Sequence, residues 1–243
     1  MTDQMITPKK IKKSKKQTNA RILFILDRSG SMQSIKAETI GGFNAFLASQ
    51  KAIPGEAKVS LVQFDHEYLV VHNDVPIENV PDLNARTFEP RGYTALYDAI
   101  GRTISRFKDD NPKNMKTIVA ILTDGQENSS HEYTYSTVKD LISQVEAEHC
   151  WDVLFIGANM DAVSVATSMG IKASNSMTMD YTKIGTMDAM NSINYAASAM
   201  RGVDFTYADG TTSANAGIDM TKLYADVTAK KVTPDVTSKS GSK

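Results

Sequence analysis

The chain has 243 residues, long enough to bury a sizeable core, and this length fits one domain with short appendages. Hydrophobic residues make up 41% and charged residues 23% of the sequence, close to globular averages, which excludes a wholly disordered or fibrous protein. The net charge of -1 conceals an uneven distribution, because lysines crowd near the start: Lys9, Lys10, Lys12, Lys13, Lys15 and Lys16.

The first segment, residues 1–20, contains no aromatic residue and no apolar period, so we expect a solvated basic tail. A short polybasic run attracts any polyanion, so weak non-specific contact of residues 9–16 with a nucleic acid or a membrane surface is one interpretation. A solubilising tail is the simpler one. The lack of aromatic residues for base stacking argues against sequence-specific recognition.

Short apolar runs follow the tail, and each has the length and composition of a strand buried on both faces. Residues 67–72 follow the second run closely enough to form a hairpin with it. A last short strand is predicted at residues 177–180. The four main runs are ILFIL at 22–26, VSLVQF at 59–64, TIVAIL at 117–122 and VLFIGA at 153–158.

Amphipathic stretches separate these runs. Residues 32–51 place their large apolar side chains on one face at helical spacing, which predicts a helix. Gly41 and Gly42 lie in the middle of it, and both close packing against the sheet and a kink would explain them. The further predicted helices are 95–107, 136–148, 162–169 and 183–200.

The alternation of strands and helices predicts an α/β fold. We expect a doubly wound, mostly parallel sheet with helices on both faces, to which the hairpin adds one antiparallel edge strand. The domain is expected over residues 21–200. Beyond Arg201 the sequence turns to Gly, Thr, Ser, Asp and Lys, so residues 201–243 are expected to form a loose polar appendage.

Cysteine usage and hydropathy bear on the compartment. Cys150 is the only cysteine, which excludes an intrachain disulfide and favours a reducing compartment. Because it lies beside Trp151, just before a predicted strand, we expect it to pack. No run approaches the roughly 18 apolar residues of a membrane span, and residues 22–26 are too few for a signal-peptide core. We therefore expect a cytoplasmic protein.

Oxygen-bearing side chains follow the predicted strands. In an open parallel sheet, ligands bind beyond the carboxyl ends of the strands, so these loops are candidate sites. The segment 27–31 reads Asp-Arg-Ser-Gly-Ser, the segment 91–94 reads Arg-Gly-Tyr-Thr, and the segment 123–125 reads Thr-Asp-Gly. Alternate residues of an extended segment point the same way, which groups the oxygens of the first loop. Oxygen donors without His or Cys suit Mg²⁺ rather than zinc.

These loops resemble the metal-ion-dependent adhesion site of von Willebrand factor A domains, which has Asp-x-Ser-x-Ser, a later Thr and Asp-Gly after successive strands. The resemblance covers roughly residues 21–200. It implies that the three hydroxyls bind Mg²⁺ or Mn²⁺ directly, while the two carboxylates bind directly or through water. All positions of the motif match: Asp27, Ser29, Ser31, Thr94 and Asp124.

The resemblance also implies a function. It is to stand-alone intracellular members from bacteria and phages, which act as adaptors. In such a module the bound cation captures an Asp or Glu carboxylate of a partner protein, and some relatives work beside AAA+ ATPases. We therefore expect a metal-dependent protein-binding module rather than an enzyme.

Two hypotheses compete with this function. Asp27 could be a phosphoryl-accepting nucleophile, as in haloacid dehalogenase-type phosphatases, but such enzymes need a second Asp where this chain has Ser29. Residues 28–32 also lack the ending of a phosphate-binding loop. The other alternative is that the site residues only form turns and helix caps.

Other polar residues are less informative. Glu127 and Asn128 either shape the rim of the site or belong to a solvated loop. The histidines have no ligand spacing and are expected at the surface or at an interface: His66, His72, His131 and His149.

Overall fold

The computed structural model describes residues 19–110, 112 and 114–234. The predicted basic tail therefore lies almost wholly outside the described residues. The main sheet consists of β1 (Ala20–Asp27), β2 (Ala57–Phe64), β3 (Tyr68–Pro76), β4 (Lys116–Thr123), β5 (Asp152–Gly157) and β6 (Ser176–Thr178).

These strands lie in the order β3-β2-β1-β4-β5-β6. All neighbours are parallel except β2 and β3, which form the antiparallel hairpin at one edge. The predicted mostly parallel sheet with one antiparallel edge strand is confirmed. The hairpin strand extends to Pro76, beyond the predicted 67–72, and irregular register against β2 accompanies this length.

Helices cover both faces of the sheet. None of those in the described ranges is long and apolar enough to cross a membrane. The main helices are α1 (Lys36–Lys51), α2 (Leu96–Phe107), α3 (Tyr135–His149), α4 (Ala162–Ser168) and α5 (Lys183–Met200).

Two hydrophobic layers follow from the alternation of side chains along the strands. In β1, Phe24 faces the layer of α1 and α5, where its ring lies 5.2 Å from that of Phe43 and 5.6 Å from that of Phe46. Its neighbours Leu23 and Ile25 face the layer of α2, α3 and α4. The carboxyl ends of the parallel strands are left for the loops that form the site.

The predicted helix 32–51 begins differently. Residues Gly30–Ile35 form a 3-10 helix, and the α-helix starts only at Lys36. The backbone N–H of Met32 donates to the carbonyl of Ser29 at 3.1 Å, the i→i+3 bond of that tighter turn. Contacts with other loops hold this turn, so hydrophobic spacing alone misplaced the helix start.

The paired glycines of α1 have different roles. A Cβ on Gly42 would lie 2.6 Å from Cγ of Met190 in α5, whereas a Cβ on Gly41 would have no neighbour within 4 Å. Close packing therefore explains Gly42, and the contact is with a helix rather than with the sheet. Gly41 faces solvent.

The C-terminal segment packs against the domain, which corrects the expectation of a loose appendage beginning at 201. It contains β7 (Phe205–Thr206), α6 (Ser213–Ala216), α7 (Met220–Thr228) and β8 (Thr233–Pro234). Large apolar side chains anchor the segment, and burying them outweighs its polar composition. The buried anchors, in the same layer as α1 and α5, are Phe205, Tyr207, Met220, Leu223 and Val227.

Two neighbours at the end of α3 differ in burial. Trp151 is buried, as expected for a packing residue. Cys150 is exposed and holds the left-handed conformation that ends the helix, with φ of 55°, so the expectation that it packs was wrong. The helix terminus turns its side chain away from the core.

Candidate metal centre

The five residues of the predicted site come from three loops at the carboxyl edge of the sheet. Ser29 Oγ lies 3.1 Å from Ser31 Oγ, and the Ser31 hydroxyl donates to Asp124 Oδ1 at 2.6 Å. Asp27 ends β1, and Thr94 lies just before α2. Only Ser31 is exposed, whereas the other four are buried. The site is therefore a pocket of oxygens that opens at Ser31.

Gly125 leaves space beside two of these hydroxyls. A Cβ at this position would lie 3.1 Å from Thr94 Oγ1 and 3.8 Å from Ser31 Oγ. Any larger residue would push a side chain in between these oxygens. The glycine therefore keeps a cradle open beside two of the proposed ligands.

Asp27 is fully buried and both of its oxygens accept hydrogen bonds. Oδ1 accepts from the backbone N–H of Ser29 at 2.6 Å, and Oδ2 accepts from the Thr123 hydroxyl at 2.6 Å. Burial raises the pKa of Asp27 to about 7, although the bonds from Thr123 and Ser29 oppose the shift. The carboxylate is thus held in one orientation, in surroundings that disfavour its charge.

Asp124 has an oxygen without a donor. Its Oδ2 is buried and has no hydrogen-bond partner among the described residues. Burial raises the pKa of Asp124, and the nearby hydroxyls of Ser31 and Tyr181 oppose this. A buried carboxylate oxygen without a partner is costly, so it indicates a missing positive group.

No basic side chain in the described part of the chain forms an ion pair with Asp27 or Asp124. Arg28 is the nearest in sequence, but its Nε lies 3.1 Å from Asp65 Oδ2 and its guanidinium reaches towards Glu67 at 3.6 Å. The positive charge of Arg28 therefore lies near Asp65 and Glu67 and does not neutralise the two carboxylates of the site.

Asp65 organises the loops beside the site, and the sequence analysis missed it. This buried residue follows β2, and its carboxylate also pairs with Nε of Arg91 at 3.0 Å. Its backbone carbonyl accepts from the N–H of Ala95 at 2.8 Å, next to Thr94. The Arg91 N–H in turn donates to the carbonyl of Arg28 at 2.8 Å. The hairpin tip therefore fixes both the first loop and the loop that carries Thr94.

Gly92 lets the first two loops approach. Its carbonyl accepts from the N–H of Gly30 at 3.2 Å. Its φ is +67°, and a Cβ would lie 2.2 Å from Nδ1 of His66, so only glycine fits. His66 therefore packs against this loop while remaining partly exposed.

The loop after β4 holds Thr94 from the other side. The Thr94 N–H donates to Asn128 Oδ1 at 2.9 Å, and the Asn128 N–H donates back to the Thr94 carbonyl at 3.0 Å. Glu127 Oε2 accepts from the N–H of Tyr97 at 2.9 Å, in the first turn of α2. Of the two interpretations of Glu127 and Asn128, the structure supports the one in which they shape the site.

The donor set fits a hard divalent cation. Within the described ranges, no three His, Cys, Asp or Glu side chains group together as a metal site, so a zinc-type cluster is not formed there. The candidate centre offers instead two buried carboxylates and three hydroxyls, which are donors that Mg²⁺ and Mn²⁺ accept. The partnerless oxygen of Asp124 and the cradle beside Gly125 are the structural observations that favour this fit.

The sequence matches a known family over the region that builds this site. The model for the von Willebrand factor type A domain matches residues 22–126, less than half of the chain. That segment contains all five residues of the candidate centre and the strands that carry them. Residues 22–126 are therefore similar to a von Willebrand factor type A domain. No curated protein matches the sequence.

Solved structures share the fold of this domain at low sequence identity. The pilus adhesin SpaC of Lactobacillus rhamnosus GG, in an open conformation, is 14% identical with a TM-score of 0.57, covering 80% of this chain and 33% of that one. Proximal thread matrix protein 1 of the mussel byssus is 14% identical with a TM-score of 0.55, covering 74% and 48%.

A third structure with this domain is the ArnB paralog VWA2 of Sulfolobus acidocaldarius. It is 15% identical with a TM-score of 0.50, covering 79% of this chain and 48% of that chain. The chain thus spans about half or less of the length of these proteins. At such identities the likeness establishes the fold and leaves function to be argued from the site.

Proposed function

We propose that the von Willebrand A domain of this protein is a metal-dependent protein-binding module. Its cation is Mg²⁺ or Mn²⁺, and the residues that hold it are Asp27, Ser29, Ser31, Thr94 and Asp124. The observation that carries the proposal is the buried Asp124 oxygen without a partner, beside a second buried carboxylate that no basic side chain of the described residues neutralises.

When bound, the cation supplies a Lewis-acidic position for an anionic ligand. The protein's residues bind it and set its charge. Ser29, Ser31 and Thr94 contribute neutral oxygens, so the site adds at most the two negative charges of Asp27 and Asp124. Because Ser31 is exposed, the pocket opens to solvent at that point, where a partner can approach. A carboxylate of Asp or Glu on a partner protein fits that role.

We propose that the domain is not an enzyme. Asp27, the candidate nucleophile of the rival hypothesis, is fully buried and both of its oxygens accept hydrogen bonds. A nucleophile must be reached by its substrate, and a fully buried carboxylate is accessible to a small cation or a water rather than to a phosphate ester. A screen of phosphate esters and nucleotides should show no turnover, and activity that disappears in Asp27→Asn would favour the hydrolase.

The adaptor role remains a proposal, and an AAA+ ATPase is one partner to consider. Action in the cytoplasm and weak polyanion contact through residues 9–16 likewise remain predictions. The latter segment lies outside the described residues.

Calorimetry with Mn²⁺ and Mg²⁺ tests the metal. We expect one binding event in the wild type and a loss of about tenfold or more in affinity for Thr94→Val, which removes a proposed ligand while keeping the side-chain shape. Thr167→Val is the matched control, because Thr167 lies on the exposed side of α4 and donates to the Val163 carbonyl. Equal affinities for the wild type and Thr94→Val would contradict the assignment.

Recovery of proteins from an extract of the source cell tests the capture. Immobilised wild-type domain should retain a partner with Mg²⁺ and release it with EDTA, whereas Thr94→Val should retain none. The captured partner should lose binding when one of its acidic residues is changed to Ala. Retention that is the same in EDTA and in Thr94→Val would mean that another surface binds the partner.

A further inference from the structure

Tyr181 reaches the candidate metal centre from a distant part of the chain. It lies between β6 and α5, and its hydroxyl donates to the backbone carbonyl of Ser31 at 2.6 Å. The same hydroxyl lies 2.6 Å from Ser34 Oγ. A phenol has one proton and a carbonyl cannot donate, so the Ser34 hydroxyl donates to the tyrosine oxygen. Tyr181 therefore links two residues of the 3-10 turn that follows β1.

The loop that carries Tyr181 is itself tightly held. The N–H of Met179 donates to the Gly157 carbonyl at 2.9 Å, and that of Thr182 donates to the Asp180 carbonyl at 2.8 Å. A Cβ on Gly185 would lie 2.2 Å from the oxygen of Asp180, so the first turn of α5 sits directly against the loop. Tyr181 therefore extends from a rigid support.

The C-terminal helix contributes to this support. The Tyr224 hydroxyl accepts from the backbone N–H of Asp180 at 3.0 Å. Tyr224 lies on α7, which is anchored in the core by its buried neighbour Leu223. Two hydrogen bonds, joined by the backbone of Asp180 and Tyr181, thus connect α7 with Ser31.

The electrostatic surroundings of the Tyr181 hydroxyl agree with a position close to Asp124. Burial raises the pKa of Tyr181, and the charge of Asp124 adds to the increase. The phenol therefore lies beside the Asp124 carboxylate as well as on the carbonyl of Ser31.

We infer that Tyr181 is a positioning residue of the candidate metal centre and that Tyr224 supports it from the C-terminal helix. Tyr181 contacts the backbone of one proposed ligand, Ser31, so it sets where the Ser31 hydroxyl points. The inference rests on the proposed function, because it concerns the same site. It gives the C-terminal segment a part in metal binding.

Three conservative variants test this. Tyr181→Phe and Tyr224→Phe each remove one hydroxyl of the connection between α7 and Ser31 and keep the ring. Tyr135→Phe is the control, because its hydroxyl bonds to the Ser168 carbonyl on the other face of the sheet. The measurements are the dissociation constant for Mn²⁺ by calorimetry and the melting temperature in EDTA.

We expect Tyr181→Phe to weaken Mn²⁺ binding about tenfold and Tyr224→Phe to weaken it about threefold, as for residues that orient metal ligands. Tyr135→Phe should bind as the wild type does. The melting temperature in EDTA should fall modestly in both Tyr181→Phe and Tyr135→Phe, since the first loses two hydrogen bonds and the second loses one.

The inference is overturned if the wild type binds Mn²⁺ and Tyr181→Phe binds within about twofold of it. That result would leave the proposed function intact. A wild type that binds neither Mn²⁺ nor Mg²⁺ would overturn both, and the titration of the wild type alone distinguishes the two failures.

Discussion

Removing the charge of Asp27 should make the metal-free protein more stable. Asp27→Asn keeps the shape of the side chain, and its carbonyl oxygen still accepts from the N–H of Ser29. The Thr123 hydroxyl lies 3.0 Å from the Gly125 carbonyl, so it can turn its proton there and accept from the new amide. The hydrogen bonds therefore survive the change while the buried charge is lost.

The magnitude follows from the pKa of the buried carboxyl. Asp27 has a pKa of about 7 in the folded protein, against about 4 in an unfolded chain. The folded state therefore binds the proton more tightly, and wild-type stability falls as pH rises from about 4 to about 7. Above about pH 7, the buried charge lowers the free energy of unfolding of the wild type by at most about 4 kcal/mol. Asp27→Asn removes this cost but buries an amide, so its expected net gain in stability is roughly 2 to 3 kcal/mol.

Thermal melts in EDTA measure this difference. At about pH 8 the melting temperature of Asp27→Asn should exceed that of the wild type by roughly 5 to 10 °C, and the gap should nearly close at about pH 5. Excess Mg²⁺ should then stabilise the wild type, by about 2.7 kcal/mol at a hundredfold excess over Kd, and leave the variant unchanged.

The control for this experiment is Asp161→Asn. Asp161 is exposed and caps α4 through the N–H of Ser164, a role that asparagine fills as well. It should show neither the gain above neutral pH nor a loss of the metal response. If Asp27→Asn is less stable than the wild type in EDTA at about pH 8, the reasoning from buried charge is refuted.

Other predictions concern packing, the support of the site and the tail. Gly41→Ala should raise the free energy of unfolding by about 0.5 to 1 kcal/mol, because its Cβ would have no neighbour within 4 Å. Gly42→Ala should lower it by about 1 to 3 kcal/mol, because its Cβ would collide with Met190. Denaturant unfolding of the two variants and the wild type measures these differences. Asn128→Ala should weaken Mn²⁺ binding about tenfold in calorimetry, because the loop before α2 loses a hydrogen bond. Deleting residues 1–18 should change neither the melting temperature nor the metal affinity, and a substantial fall in either would contradict the solvated-tail interpretation.

Hydrophobic periodicity predicted the main elements of the fold. The helix predicted at 183–200 has those bounds in the structure, because its apolar face is continuous and its ends carry clear signals. The 3-10 turn from Gly30 was missed, since its shape is set by contacts with loops distant in sequence. The spacing of apolar residues identifies the buried face of a helix, but it does not identify the contacts of the first turn.

The C-terminal segment shows how composition misled the prediction. Its overall polarity suggested an appendage, but Met220, Leu223 and Val227 recur at helical spacing after Asp219, whose side chain caps α7. That pattern was present in the sequence. A windowed search for period would have found the helix, whereas average composition concealed it.

Four residues of the candidate centre were predictable because they lie at a strand end or in the loop that follows one, and Thr94 because it precedes a predicted helix. The residues that support them were not predictable. Asp65 holds Ala95, next to Thr94, across 30 residues. Asn128 holds Thr94 across 34 residues, and Tyr181 holds Ser31 across 150. Each of these supporting residues is an ordinary polar side chain in its local sequence. Only the folded arrangement of the loops reveals what they hold.

The placement of Arg28 connects stability with the proposed function. Its guanidinium is directed to Asp65, although it neighbours Asp27 in the sequence, so the two buried carboxylates receive no neutralising charge from it. The metal-free fold carries that cost, and proteins retain such strain where it serves a site. On the proposed function, cation binding would relieve this cost without rearranging the loops, which backbone hydrogen bonds such as Gly30 to Gly92 already hold together. The electrostatic cost of the two buried carboxylates would then be a source of the proposed metal affinity.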